Sequence, residues 1–175
     1  MGSTLAIHWT VTTHGTWLHG DPKGSWKNGT LMGPDPLLRQ AASENMTNEA
    51  ETLSQPEIEL AAEAFGRVCQ KGGHQVLAAT IRPIHAHLVL GRIASPAEKV
   101  IWWLKRQSAA AVFDSRRSQG RPTPRHLWTN RRFVVFIYDE RHLANTIKYV
   151  QRHNIEAGLS ANPYSWIDPL NRNDT

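Results

Sequence analysis

Apolar and polar positions along the chain predict four strands. Residues 5–13 are rich in β-branched and aromatic types, which favour an extended strand. Two apolar runs, at 75–81 and 84–92, are separated only by Arg82-Pro83 and predict a β-hairpin. A further apolar run at 133–137 predicts a short buried strand.

Capping residues predict a helix between the first strand and the hairpin. Ser54 is followed three residues later by Glu57, which is the spacing of a capping box. This pair predicts a helix over about residues 55–71. Gly72-Gly73 then predicts its end, because glycine is the preferred residue beyond a helix C-terminus.

A second helix is predicted after the hairpin. Ser95 stands as the N-cap, Pro96 occupies the first helical position, and a glutamate follows at the third. The helix is expected to run to about Phe113. A basic connection containing two prolines then follows over Ser115–Arg125.

The remaining segments complete the predicted fold. Asp139 caps a last helix that Gly158 closes. Residues 20–55 lack periodicity and collect Gly, Pro, Asn and Ser, so we expect a long loop that is a functional flap or partly disordered. The order β, loop, α, β, β, α, β, α predicts the α+β class in a single domain over residues 1–175: a ferredoxin-like antiparallel sheet with helices on one face and a C-terminal helix.

Composition limits the setting in which this domain acts. A chain of 175 residues suits one domain, and no apolar run reaches the 18 residues of a membrane span. The N-terminus lacks the basic and apolar regions of a signal peptide. Cys69 is the single cysteine, which excludes an internal disulfide and fits a reducing cytoplasm. We therefore expect a cytoplasmic protein without a membrane partner, with Cys69 as a small buried apolar residue.

Charge is unevenly distributed along the chain. The net charge is +5, but residues 82–152 hold fourteen Lys/Arg against four Asp/Glu. A basic half of this kind suits a polyanion, with nucleic acid first among the candidates. A solvated basic face is the alternative interpretation.

Two histidines in the predicted hairpin can bind a metal ion. Because side chains alternate along a strand, His85 and His87 project from the same face and can chelate one divalent cation. The His-x-His spacing alone does not distinguish a metal ligand from a histidine that packs or caps.

The last helix carries a second set of candidate residues. Its apolar stripe consists of Leu143, Ile147 and Val150. At 100° per residue, Tyr149, His153 and His142 cluster beside that stripe. The alternatives are a half-buried aromatic for Tyr149 and a histidine interacting with the helix dipole for His153. Together with the strand pair they fit phosphodiester transesterification, in which a cation stabilises the developing charge while a tyrosine attacks.

Several short motifs resemble one family in their order and spacing. His85-Ala86-His87, followed by Leu88-Val89-Leu90, resembles the His-hydrophobic-His motif of the single-tyrosine HUH transposases. Residues 149–159 are similar, without a gap, to the tyrosine helix Tyr-Ile-His-x-Asn-Pro-Val-x-Ala-Gly-Leu of the REP-associated tyrosine transposase branch. Residues 104–109 and the lead-in at 128–140 also resemble this branch. The resemblance covers about residues 75–166, with a looser match at the first strand.

The resemblance implies both a fold and an activity. It implies a ferredoxin-like fold, Mg²⁺ or Mn²⁺, single-stranded or hairpin DNA as partner, and a 5′-phosphotyrosine intermediate formed by a monomer or homodimer. His85 and His87 are then metal ligands and Tyr149 is the nucleophile. Relatives carry Gln or Asn four residues after the tyrosine, where this chain has His153, and a third nitrogen donor favours Mn²⁺, Co²⁺ or Zn²⁺ over Mg²⁺. Asn154 replaces the usual proline and falls on the apolar stripe.

Candidate nucleic-acid contacts lie outside this constellation. Trp17 and Trp26 can stack on unpaired bases, or can pack into an Ω-like loop of their own. The cations expected to contact phosphates are Lys105, Arg106, Arg116, Arg117, Arg121, Arg125, Arg131, Arg132, Lys148 and Arg152.

Three other functions remain open on the sequence. A catalytically silent relative would bind DNA or RNA hairpins without cutting them. A histidine-triad-like nucleotide hydrolase would need another histidine at the alternate strand position, which is Val89. A zinc hydrolase without tyrosine involvement would need a carboxylate beside the histidine pair.

Overall fold

The protein is built on a four-stranded antiparallel sheet. The computed structural model describes residues 3–18, 22, 25–27, 30–46, 49–93, 95–130 and 133–168. In chain order its elements are β1 Ala6–Thr12, β2 Ser25–Lys27, β3 Thr30–Met32, α1 Pro36–Glu44, α2 Gln55–Lys71, β4 Val76–Ile81, β5 His85–Gly91, α3 Ala97–Ser118, β6 Phe133–Ile137 and α4 Glu140–Glu156. The sheet order is β4-β5-β1-β6, while β2 and β3 form a separate hairpin. The predicted α+β class and ferredoxin-like topology are confirmed.

Helices cover the two faces of the sheet differently. On one face α2 and α3 enclose the larger core, where Trp9 packs on Phe65 with ring centroids 5.7 Å apart and Leu104 is fully buried. On the other face α4 packs through Leu143 and Val150. This arrangement confirms the prediction of helices on one face and a separate C-terminal helix. None of the described helices combines the length and hydropathy needed to cross a bilayer.

Local capping signals place α2 and α4 as predicted. A Glu57 carboxylate oxygen accepts a hydrogen bond from the Ser54 N–H at 2.9 Å, and Gly72 caps the C-terminus of α2. In α4, the Asp139 side chain accepts from the third N–H of the helix at 2.8 Å. Gly158 follows with φ of 76°, a conformation that glycine adopts without steric cost.

Helix α3 departs from the prediction at both ends. Its N-cap is Pro96 rather than Ser95, and no side chain caps the first turn. The helix also continues to Ser118 instead of ending near Phe113. The added turns carry Arg116, which is buried against acidic side chains from outside the helix. The prediction of a connection beginning at residue 115 is therefore wrong, because a tertiary contact extends the helix.

Strand β6 lies where the apolar run predicted it but is not buried. It pairs with β1, and no other described strand lies beside it. Phe133 is 47% and Phe136 46% exposed, and within the strand only Ile137 is buried. The apolar run therefore forms a sheet edge, a position that depends on the arrangement of the other strands.

Part of the predicted long loop contains regular structure. The β2–β3 hairpin and α1 lie within residues 20–55. The Asp35 side chain accepts a hydrogen bond from the Leu38 N–H at 3.0 Å, and Pro36 occupies the first turn of α1. This helix buries no residue.

Cys69 and the segment after α4 both lie against the rest of the fold. Cys69 is 1% exposed, as predicted, and burial raises the pKa of its thiol to about 12. The segment after α4 returns along β4, where the Asp168 N–H donates to the Val76 carbonyl at 2.8 Å. Farther along, the Ile81 N–H donates to the Tyr164 hydroxyl at 3.3 Å.

Candidate functional site

Three histidines converge between the sheet and α4. Alternation along β5 directs His85 and His87 to the α4 side, as predicted, and α4 supplies His153. One potential ligand atom from each residue lies within 4.8 Å of the other two. The ring of His153 lies 5.0 Å from that of His87 and 5.3 Å from that of His85. Within the described part of the chain, no other group of three such donors occurs.

Tyr149 lies one helical turn before His153 and borders the same cluster. Its ring centroid is 4.9 Å from that of His153 and 5.5 Å from that of His87, each in an edge-on arrangement. The side chain is 46% exposed, so a large substrate can reach it from solvent. The predicted grouping of Tyr149 with the strand histidines is therefore present.

Two residues of β1 that the sequence reasoning missed complete the surroundings of His87. Thr10 is the register partner of His87, and its hydroxyl lies 3.0 Å from the His87 Nδ1 atom. The Nε2 atom of His8 lies 3.1 Å from the same nitrogen. Alternation places His8 and Thr10 on one face, but only the β1–β5 register brings them to His87.

Burial keeps the central imidazoles uncharged. Desolvation lowers the pKa of His87 to about 2, and the neighbouring histidines act in the same direction. Desolvation also lowers the pKa of His8 to about 4, with contributions from His142 and His153. Metal ions bind the neutral form of imidazole, so the His87 ring does not need to lose a proton at neutral pH before it can act as a ligand.

His153 has the features of a metal ligand. Burial lowers its pKa; the charge of Glu156 opposes this shift, and the charges of Arg82 and Arg152 support it. Its Nε2 atom is buried and has no hydrogen-bond partner among the described residues. A buried polar atom without a partner is uncommon unless an ion or water satisfies it. Three imidazole nitrogen donors around one point fit a divalent transition metal such as Mn²⁺, Co²⁺ or Zn²⁺.

Asn154 explains how the neighbouring His153 is held. It is fully buried, and its amide donates to the Ala79 carbonyl at 2.9 Å and to the Ala161 carbonyl at 3.0 Å. A polar residue on the apolar stripe therefore connects α4 to β4 and to the segment that follows the helix. Because His153 is adjacent in the chain, this connection fixes its position relative to the sheet.

Five of the predicted nucleic-acid residues fall into two groups. Lys148 and Arg152 are exposed on α4, beside Tyr149 in the chain. Three others line a groove of about 230 Å³ between α3 and the segment 125–130, together with Trp102: Lys105, Arg106 and Arg125. The Arg106 guanidinium lies 5.1 Å from the centre of the Trp102 ring.

The groove lies on the α3 side of the sheet, and its wall is bonded to the end of β1. The Lys105 ammonium donates to the Thr129 carbonyl at 2.6 Å, and the Thr129 N–H donates to the Thr12 carbonyl at 3.0 Å. Thr12 is the register partner of His85. The groove wall is therefore one strand away from a candidate ligand.

Arg116 does not fit the predicted phosphate-binding role. Its side chain is 6% exposed and donates to Glu57 at 2.8 Å and to Glu51 at 2.7 Å. This burial contradicts the expectation of a phosphate contact, because both carboxylates already satisfy the guanidinium. Arg121 also bonds Glu57 at 3.0 Å but is 48% exposed, and Arg117 pairs with an aspartate of its own helix and is 58% exposed.

The remaining predicted contacts lie in or near the first loop and before β6. Trp17 is 42% exposed. The side chain of Trp26 lies outside the described residues, as do Arg131 and Arg132 entirely.

Two of the alternative functions meet structural obstacles. Val89, where a histidine-triad hydrolase would need its next histidine, is buried in the core beneath α4. The charge of Glu156 reaches His153, but among the described residues no carboxylate belongs to the converging donor group.

Comparisons with known proteins bear on the family and the fold. The family model described as "Transposase IS200 like" matches residues 46–153. A solved REP-associated tyrosine transposase, bound to a REP hairpin, is 11% identical with a TM-score of 0.53, covering 90% of this chain and 72% of the other. A protein from Deinococcus radiodurans R1 assigned as a transposase is 15% identical with a TM-score of 0.50. The match covers 91% of this chain and 95% of the other. At these identities the two structures bear on the fold alone, and no curated protein matches the sequence.

Proposed function

The chain belongs to the IS200-like transposase family, and on this premise we propose that it is a metal-dependent endonuclease and strand transferase of single-stranded DNA. Tyr149 is the proposed nucleophile and forms a 5′-phosphotyrosine intermediate. The observation that carries the proposal is the convergence of Tyr149 with His85, His87 and His153, in which neighbouring rings lie 4.9 to 5.5 Å apart.

The reaction requires one bond to form and one to break at phosphorus. The Tyr149 oxygen bonds to phosphorus, the bond to the 3′ oxygen breaks, and the phenol proton passes through solvent to the released 3′ hydroxyl. A divalent cation held by His85, His87 and His153 would polarise the non-bridging phosphate oxygens and orient the phosphate. The covalent intermediate keeps the energy of the broken bond, so a second DNA hydroxyl can reverse the step and join the strands.

Cations around Tyr149 suit the charge of the substrate. Lys148 and Arg152 are exposed on the same helix, and the charges of Arg82 and Arg152 reach His153. These residues can hold the phosphates next to the scissile bond without reading the sequence. Arg82 was not among the residues singled out from the sequence.

The groove at Trp102 provides a path for the rest of the strand. Lys105, Arg106 and Arg125 can follow the phosphates there, and the exposed indole can stack on a base. The groove wall is bonded to the end of β1 at Thr12, so a strand leaving Tyr149 on the α4 side would pass this end of the sheet to reach it. The solved transposase named above is bound to a REP hairpin, and we extend hairpin-bearing single-stranded DNA to this chain as its substrate.

The nucleophile can be tested directly. Wild type, Tyr149→Phe and Tyr138→Phe are incubated with hairpin-flanked single-stranded DNA and Mn²⁺, and covalent adducts are separated on a denaturing gel. We expect an adduct with wild type and with Tyr138→Phe, whose tyrosine is 57% exposed and lies outside the cluster. Tyr149→Phe should form none, because phenylalanine has no oxygen to attack phosphorus.

Two results would contradict the proposal. An adduct that persists at the wild-type level in Tyr149→Phe would exclude this tyrosine as the nucleophile. Binding of the hairpin without an adduct in wild type, across the DNA substrates and metals tested, would favour a catalytically silent hairpin-binding protein derived from such a transposase.

A further inference from the structure

We propose that His8 is a positioning residue that presents His87 to the metal through one defined ring nitrogen. The inference rests on the proposed function, because it assigns a role within the same metal site. His8 lies on β1 and is not among the three converging ligands.

The contact geometry singles out one atom of His87. The His8 Nε2 atom lies 3.1 Å and the Thr10 hydroxyl 3.0 Å from the His87 Nδ1 atom. Across the antiparallel pair, Thr10 stands directly opposite His87, and His8 is its diagonal neighbour, opposite Val89. The two histidine rings are stacked at 27° with centroids 5.3 Å apart. Two groups of β1 therefore engage Nδ1, which leaves Nε2 as the ring nitrogen that can bind a cation.

Hydrogen-bond chemistry sets the direction of these contacts. When a metal takes the Nε2 lone pair of neutral His87, the proton must lie on Nδ1, which then donates. The His8 Nε2 atom accepts this bond if the proton of His8 lies on its own Nδ1, and the Thr10 hydroxyl is a second acceptor. An acceptor of this kind fixes both the tautomer and the rotation of a metal-binding imidazole and raises its basicity.

His8 differs from Thr10 because it also borders the nucleophile. Its ring lies 6.2 Å from that of Tyr149 in an edge-on arrangement. The His8 side chain therefore borders both the His87 ring on β5 and the Tyr149 ring on α4. Removal of His8 is expected to disturb metal binding and the packing of the Tyr149 ring together, whereas removal of the Thr10 hydroxyl affects only the former.

The test measures metal binding and the tautomer rather than DNA cleavage. Co²⁺ is titrated into wild type, His8→Ala, His8→Gln and His8→Leu, and binding is followed by the visible absorption of the bound ion. Outer hydrogen-bond partners of metal ligands are typically worth about 10- to 100-fold in metal affinity, so we expect a loss of this size in His8→Ala and His8→Leu. His8→Gln should recover most of the affinity, because its amide oxygen can accept from Nδ1.

Nitrogen-15 NMR of the histidine side chains provides the second readout. His87 should carry its proton on Nδ1 in wild type and in His8→Gln, and should populate both tautomers in His8→Ala. His14→Ala is the matched control, since His14 packs near His126 with ring centroids 6.1 Å apart and contacts none of the converging histidines. This control should leave both the Co²⁺ affinity and the tautomer unchanged.

The outcomes separate this inference from the proposed function. Co²⁺ affinities within about twofold of wild type in both His8→Ala and His8→Leu would overturn the role of His8. If His8→Ala does not fold, His8→Leu and His8→Gln decide, and equal affinities in this pair overturn it. Wild-type protein that binds neither Co²⁺ nor Mn²⁺ would instead contradict the metal site of the proposed function.

Discussion

Two clusters of titratable side chains lie on opposite sides of the same sheet. One brings opposite charges into contact, whereas the other brings histidines together. The ion-pair cluster, at the ends of α2 and α3, consists of Arg116, Glu57, Glu51 and Arg121. The histidine cluster, between the sheet and α4, consists of His8, His85, His87 and His153. In the first, carboxylates and guanidinium groups meet at 2.7 to 3.0 Å. In the second, the described residues bring basic nitrogens together without a carboxylate among the converging donors.

The pKa shifts follow from this difference. Burial raises the pKa of Glu57, but hydrogen bonds from Arg116 and from the Ser54 N–H, together with the charges of Arg116 and Arg121, outweigh it and lower the pKa to about 2. Burial lowers the pKa of His87 to about 2, and the neighbouring histidines add to this effect. Glu57 therefore keeps its charge in the interior, whereas His87 loses it. Both clusters are buried, so they differ in whether opposite charges are paired: the ion-pair cluster pairs them, and the histidine cluster contains donors that could hold a cation.

The largest expected effect comes from breaking the ion-pair cluster. Arg116→Ala leaves Glu57 and Glu51 buried without their main partner, which should lower the free energy of unfolding by about 3–5 kcal/mol. The measurement is urea denaturation followed by circular dichroism. Arg117→Ala is the control on the same helix, and its exposed ion pair should be worth only about 0–1 kcal/mol. If the two variants are equally stable, the ion-pair cluster is not what holds the ends of α2 and α3 together.

The two clusters should begin to lose stability at different pH values as acid is added. The stabilisation from Glu57 is complete above its ordinary pKa of 4.5 and is lost as the pH falls towards about 2. A shift of this size corresponds to about 3 kcal/mol of unfolding free energy over that window. In Glu57→Gln the dependence of stability on pH below 4.5 should be shallower, as measured by denaturation at a series of pH values.

The histidines act over a wider pH window, which begins at 6.5 and continues through that of Glu57, and their effect above pH 4.5 provides the internal control. The pKa of His8 is lowered from 6.5 to about 4, so the unfolded chain binds a proton below 6.5 before the folded protein does. Metal-free protein should therefore begin to lose stability below pH 6.5, in Glu57→Gln as in wild type. If Glu57→Gln instead removes the loss of stability above pH 4.5, that loss does not come from the histidines.

Metal should act on the histidine cluster and leave the ion-pair cluster unchanged. Co²⁺ or Mn²⁺ at about 100 times its dissociation constant should stabilise wild type by about 2.7 kcal/mol, and a chelator should reverse the effect. His153→Ala should reduce this increment, and His153→Gln should shift the preference from Co²⁺ towards Mg²⁺, because an oxygen donor replaces a nitrogen. Thermal unfolding with and without each ion measures both effects. Unchanged affinity in His153→Ala would exclude His153 as a ligand.

Elements whose signals are local could be predicted from the sequence. The partners in the Ser54–Glu57 capping box and at Asp139 lie three residues apart, and the predicted start of each helix is confirmed. The end of α3 could not be predicted in this way, because the contact that extends it joins Arg116 to Glu57, 59 residues away in the chain. The exposure of β6 was missed for the same reason, since an apolar run does not tell an edge strand from a central one.

The same distinction between local signals and long-range contacts applies to the candidate site. Alternation along β5 placed His85 and His87 together, and helical spacing placed Tyr149 beside His153. His8 was missed because its relation to His87 depends on how β1 registers with β5. Arg116 was assigned to DNA because composition counts cations without showing which of them are buried.

Asn154 and the segment that follows α4 affect how the sheet can meet other chains. An uncovered strand edge is a template on which another chain can add, and long edges of this kind favour aggregation. At β4, the carbonyls of Val76 and Ala79 are already taken by Asp168 and by Asn154. An incoming strand would have to displace these contacts before it could pair. The residue that fixes the tyrosine helix on the sheet therefore also protects the β4 edge from polymerisation.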